Sequence, residues 1–127
     1  MNQTFRIGIA VFVGVALGAA AVHGLRAQAE KKPAYAVAEV QVTDPAAFQA
    51  YAAKVPATLT PYHGRYIVRG KPEAKEGDAP KGTYVILAFD SMADAEKWYS
   101  TPPYRDLIPE RQKAATSNVF IVEGLPQ

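Results

Sequence analysis

Thr83-Tyr84-Val85-Ile86-Leu87-Ala88-Phe89, followed by Asp90-Ser91-Met92-Ala93-Asp94, is the stretch on which the fold turns. Seven residues that favour strands lie between Gly82 and Asp90. Both faces of that strand are largely apolar, with Val85, Leu87 and Phe89 on one and Tyr84, Ile86 and Ala88 on the other. Ser91 with Asp94 three residues on resembles a capping box and opens a helix from Met92 to about Ser100.

Upstream, Gly70 to Gly82 is almost all Gly, Pro, Lys, Glu, Asp and Ala, a solvated loop between two strands. The strand before it spans Arg65 to Arg69, and strict alternation puts Arg65, Ile67 and Arg69 on one face, Tyr66 and Val68 on the other. Further back, Phe48, Tyr51, Val55, Leu59 and Tyr62 recur at steps of three and four, the stripe of an amphipathic helix. Asp44 is its N-cap and Pro45 its first residue, while Pro56 inside the stripe predicts a kink or two short helices. Tyr35 to Val42 alternates as a first strand. Downstream, Pro102-Pro103 ends the second helix, Tyr104 to Ala115 reads as two short helical pieces around Pro109, and Asn118 to Glu123 is a fourth strand.

The order βαββαβ is the α+β, ferredoxin-like arrangement: a four-stranded antiparallel sheet with helices on one face. Helices cover only one side of such a sheet. The fourth strand nevertheless repeats the two-sided apolar pattern, Val119 and Ile121 against Phe120 and Val122, so the second face is expected to be covered by something else.

The first 29 residues are expected to be a signal peptide and residues 30–127 a single domain. Arg6 precedes an uncharged run from Ile7 to Val22, and Ala27-Gln28-Ala29 supplies small residues for cleavage. The run is about 16 residues, short of the ~20 that span a bilayer; an uncleaved membrane anchor is the alternative. Export implies a periplasmic or secreted protein with no membrane association after cleavage. The chain of 127 residues has 14 basic and 12 acidic side chains. Loss of Arg6 and Arg26 balances them, so charge gives no case for nucleic acid as a partner. With no cysteine there is no disulfide, no thiolate metal site and no cysteine nucleophile.

Val42-Thr43-Asp44-Pro45, Gly64-Arg65, Arg69-Gly70, Glu76-Gly77, Trp98-Tyr99, Pro103-Tyr104-Arg105, Arg111 and Val122-Glu123-Gly124 together resemble the domain-of-unknown-function 1330 family, a branch of the dimeric α+β-barrel superfamily. His63 and Lys75 depart from its usual pattern, standing where a glycine and an apolar residue are common. The resemblance implies a homodimer whose two sheets pack face to face, a cover for the second apolar face. It implies no reaction.

His63 is the sole histidine after cleavage and reads either as a general base or haem ligand, or as a helix C-terminal residue suited to the helix dipole. Arg65 and Arg69 could clamp an anion or pair with Glu39, Glu76 or Glu123. Glu39, inside a strand, needs a partner or a raised pKa. Trp98, Tyr99 and Tyr104 are core residues or a cavity wall. A pocket lined by His63, Arg65 and Arg69, with Trp98 and Tyr104 as its far wall, would take a small, partly apolar anionic molecule. No metal site and no cofactor motif is evident. The alternatives are a cofactor-independent enzyme of monooxygenase or isomerase type, and a structural or interaction protein without a ligand.

Overall fold

A computed structural model describes residues 31–127; the expected signal peptide lies outside the described residues. The domain runs from Lys32 to Leu125. Its elements are β1 (Ala34–Val42), α1 (Pro45–Leu59) with a following 3-10 turn (Thr60–Tyr62), β2 (Arg65–Gly70), β3 (Thr83–Phe89), α2 (Met92–Ser100), α3 (Pro102–Arg105), α4 (Ile108–Ala114) and β4 (Ala115–Glu123).

The helix starts follow from capping chemistry. Asp44 Oδ1 accepts from the Ala47 N–H at 3.1 Å, and Ser91 Oγ accepts from the Asp94 N–H at 3.1 Å. Proline sets φ without needing an N–H partner, so Pro102-Pro103 open α3 rather than merely ending α2. The break itself falls at Thr101, which is extended.

Pro56 departs from expectation. Helix α1 continues through it to Leu59 as a single element of 15 residues. The missing N–H leaves one carbonyl without its helical donor. Val55 and Leu59, buried on either side, hold the turn in place by packing.

All four strands are antiparallel, in the order β2-β3-β1-β4. β4 starts earlier than the sequence suggests, because Ala115, Thr116 and Ser117 already pair with Val42, Gln41 and Val40. Opposed residues share a face, so Ala36, Leu87 and Ile121 turn toward the helices, and Val37, Ile86 and Phe120 turn away. Alternation fails on β2. Tyr66 pairs with Leu87 but Val68 pairs with Ile86, which makes Ile67 the extra residue of a bulge. Arg69, opposite Val85, therefore faces the helices, whereas Arg65, opposite Ala88, faces the other way. The expectation that the two arginines share a face is thereby corrected.

The core sits between helices and sheet, built from Val55 and Leu59 of α1, Leu87 and Phe89 of β3, and Ala95 and Trp98 of α2. Each large side chain buried there contributes about 1.5–3 kcal/mol. Gly64 is required by space: a Cβ would stand 2.6 Å from Phe89 Cε1 and 2.8 Å from Leu59 Cδ2. On the opposite sheet face, Phe120 and Val122 remain 46% and 49% exposed.

Candidate functional site

Small residues on the central strand leave room under the helices. Ala36, Ala38 and Val40 of β1 and Val85 of β3 form one wall, and Phe48, Tyr51 and Val55 of α1 form the other. Between them lies a cavity of about 380 Å³, a size suited to a small molecule.

Its polar groups come from five elements, with Gln49 of α1 and Thr83 of β3 among the lining residues. Tyr51 of α1 and Tyr104 of α3 meet through their hydroxyls at 2.7 Å. Arg111 of α4 donates from Nη1 to the Tyr104 oxygen at 2.7 Å. Arg111 is only 6% exposed, and its Nε–H is buried without an acceptor among the described residues. Arg69 of β2 lines the solvent-exposed edge, its guanidinium 4.4 Å from the centre of the Tyr66 ring, within cation–π range. Trp98 stacks on Tyr104 with ring centres 3.9 Å apart. Its own N–H is spent on Thr58 Oγ1 at 2.9 Å.

Among the described residues no Asp, Glu or His lines the cavity, and neither Arg69 nor Arg111 forms an ion pair. Burial pushes the Tyr51 phenol far above its ordinary range; the nearby Tyr104 adds to this and Arg111 only partly counters it. Tyr104 is likewise raised by burial, with Arg111 opposing, and Tyr66 by burial, with Arg69 opposing. For Arg111, burial works against the charge, but Tyr104 and the other phenols around it outweigh that and hold the guanidinium above its usual value. At neutral pH the site is thus a fixed cation surrounded by protonated phenols.

The structure brings Arg69, Trp98 and Tyr104 together on this cavity and leaves His63, Arg65 and Glu39 off it. His63 ends the 3-10 turn in the left-handed conformation, φ 58°, with Nδ1 3.3 Å from Asp94 Oδ2. Arg65 reaches Asp90 at 3.6 Å across solvent. His63, Asp90 and Asp94 bring ligand-type atoms within 4.8 Å of one another, a grouping the sequence reading did not anticipate. Glu39 lies on the open sheet face, where the Tyr84 hydroxyl donates to it at 3.4 Å and Asn118 Nδ2 at 3.5 Å.

Sequence reasoning missed Tyr51 and Arg111 as site residues. A tyrosine inside an apolar stripe was the available signal, because a buried hydroxyl has to find a partner.

A four-stranded antiparallel sheet in this order, helices on one face, defines a ferredoxin-like α+β domain. The chain belongs to the family described as Domain of unknown function (DUF1330), whose profile matches residues 33–125. A comparison with curated proteins found no match. Among solved structures, a protein of unknown function from Rhodopseudomonas palustris is similar at 19% identity and TM-score 0.59, covering 84% of this chain and 93% of its own. A dimeric ferredoxin-like protein of unknown function from Thermobifida fusca is similar at 12% identity and TM-score 0.51, covering 76% and 92%. SnoaB, a cofactor-independent oxygenase from Streptomyces nogalater, is similar at 14% identity and TM-score 0.50, covering 72% and 91%. At these identities the likeness establishes the fold.

The buried phenols make stability alkali-sensitive. Their folded pKa values lie above the unfolded value of 10.0, so the contribution is complete below that value and is lost as pH rises above it. Melting temperature should therefore fall above about pH 10. Tyr51→Phe removes one such group and should flatten the fall, at a cost of about 1 kcal/mol at neutral pH for the lost hydrogen bond. Thermal melts of both proteins from neutral to strongly alkaline pH check this; parallel curves would contradict it.

Proposed function

We propose that the cavity binds a small, partly apolar molecule carrying an anionic group. The observation that carries this is Arg111, a buried cation with a spare N–H in an apolar cavity that, among the described residues, contains no carboxylate to neutralise it. A buried charge demands compensation, and a ligand anion supplies it. The apolar walls take the remainder of the ligand. A second reading, cofactor-independent catalysis, draws on the same converging donors, which could stabilise an oxyanion as it forms; SnoaB, similar in fold, is described as such an oxygenase.

Benzoate is the simplest probe with both features. Calorimetry should detect binding to the purified protein. Arg111→Met, which keeps the apolar bulk and removes the charge, should weaken it roughly ten- to hundredfold. Arg65→Lys, off the cavity, should leave it unchanged. Absence of benzoate binding at millimolar concentration would refute the reading.

We further infer that the domain forms a homodimer through the open sheet face. Support comes from the exposed Val68, Phe120 and Val122 on that face, and from the dimeric description of the similar Thermobifida fusca protein. Ile86 faces outward and Leu87 faces the core. Ile86→Asp should give a folded monomer by light scattering, and Leu87→Asp should unfold the chain. A wild-type monomer at micromolar concentration would refute the assembly.

The remaining proposal is export with cleavage after Ala29, supported by the N-terminal sequence pattern. Intact mass of the secreted protein should correspond to a chain starting at Glu30; recovery of the full-length chain from membranes would show an anchor instead.

A further inference from the structure

We infer that the same cavity takes weakly acidic hydroxyl compounds, such as acidic phenols and enols, as their anions, releasing the hydroxyl proton on binding. The inference rests on the anion-binding reading and extends it from permanent anions to neutral acids.

Hydrogen-bond counting leads there. Tyr51 and Tyr104 hold two hydroxyl protons, and their 2.7 Å contact uses one. Either hydroxyl can donate in that contact; Arg111 donates to the Tyr104 oxygen, which strengthens Tyr104 as a donor and favours the arrangement in which its proton goes to Tyr51. The Tyr51 proton is then in surplus, and the Arg111 Nε–H is a second donor without an acceptor.

A neutral hydroxyl would find only the uncharged oxygens of Gln49 and Thr83 as added acceptors in a cavity that, among the described residues, offers no carboxylate or imidazole, and it would leave the guanidinium uncompensated. Its anion offers lone pairs to both spare donors and a charge to Arg111. Apolar walls oppose the ionisation, and they keep Tyr51 and Tyr104 protonated. A ligand hydroxyl more acidic than that of tyrosine ionises before them, and the two phenols then act as donors rather than as rival anions. The ligand O–H bond breaks with its electron pair left on oxygen. The proton passes to bulk water, because no carboxylate or imidazole among the described residues lines the cavity to retain it.

The test uses para-nitrophenol, whose phenolate is yellow and whose phenol is colourless, titrated into the purified protein at a pH where the free probe is mostly protonated. Bound probe should turn yellow, with an apparent pKa lowered by about one pH unit or more, equivalent to at least tenfold tighter binding of the anion. Tyr51→Phe should reduce that drop. Wild-type protein alone decides the main point, so a poorly folding variant does not affect it. A colourless bound probe, an unchanged or raised pKa, or no binding of para-nitrophenol by protein that binds benzoate would overturn the inference and leave the anion site standing. Failure of benzoate as well would remove both. An unaltered drop in Tyr51→Phe would overturn the assignment of Tyr51 as the spare donor.

Discussion

A guanidinium taken out of water needs hydrogen-bond acceptors, and in this domain Arg111 takes one from a phenol. That contact ties α4 to α3, and the Tyr104–Tyr51 bond carries the tie on to α1. Lys54 and Glu110 repeat the α1–α4 connection at the surface, 2.9 Å apart, but an exposed pair contributes at most about 1 kcal/mol. The buried triad is the more specific link, since burial makes each of its hydrogen bonds costly to break. Neutral acceptors satisfy the geometry of Arg111 without cancelling its charge. A carboxylate in the place of either tyrosine would stabilise the cation and abolish any attraction for an anion.

The cavity follows from side-chain size as much as from charge. Ala34, Ala36 and Ala38 line the helix-facing side of β1, while Phe89, Trp98 and Tyr104 fill the space above one end of it. Where the aromatic rings stop, the alanines leave the volume empty. The bulge at Ile67 completes the arrangement by turning Arg69 toward the same side as Tyr66. One inserted residue thus separates two arginines that period-two counting places together.

Much of the architecture was legible because it rests on local rules. Asp44-Pro45 and Ser91 mark helix starts through chemistry confined to a single turn, and the two-sided apolar pattern of Thr83–Phe89 identifies a central strand. The less legible features depend on contacts distant in sequence. Pro56 is tolerated because of what Val55 and Leu59 pack against, and no local residue type announces the bulge. The site shows the same division. Trp98 and Tyr104 are legible as core or cavity wall from their aromatic character, and they are both. Closeness along the chain groups His63 and Arg65 with Arg69, yet the end of the helix and the start of β2 face Asp94 and Asp90 rather than the cavity. Arg111, an arginine in a short helix, gives no sign in sequence that it is buried.

The two sheet faces are not independent. Ala36 and Ala38 bracket Val37 on β1, and Val85 and Leu87 bracket Ile86 on β3, so each outward apolar residue sits between two that line the cavity. The central strands are a shared wall, one residue thick. A protein interior is close-packed and yields little to small displacements. Pressure on the outward side from a second sheet would hold Val37 and Ile86 in place, and with them the backbone that sets the cavity's width. The proposed assembly and the proposed ligand site therefore meet in the same two strands. Ala88, opposite Tyr35, is already 2% exposed in the single chain, so part of that wall is closed on its outward side without a partner.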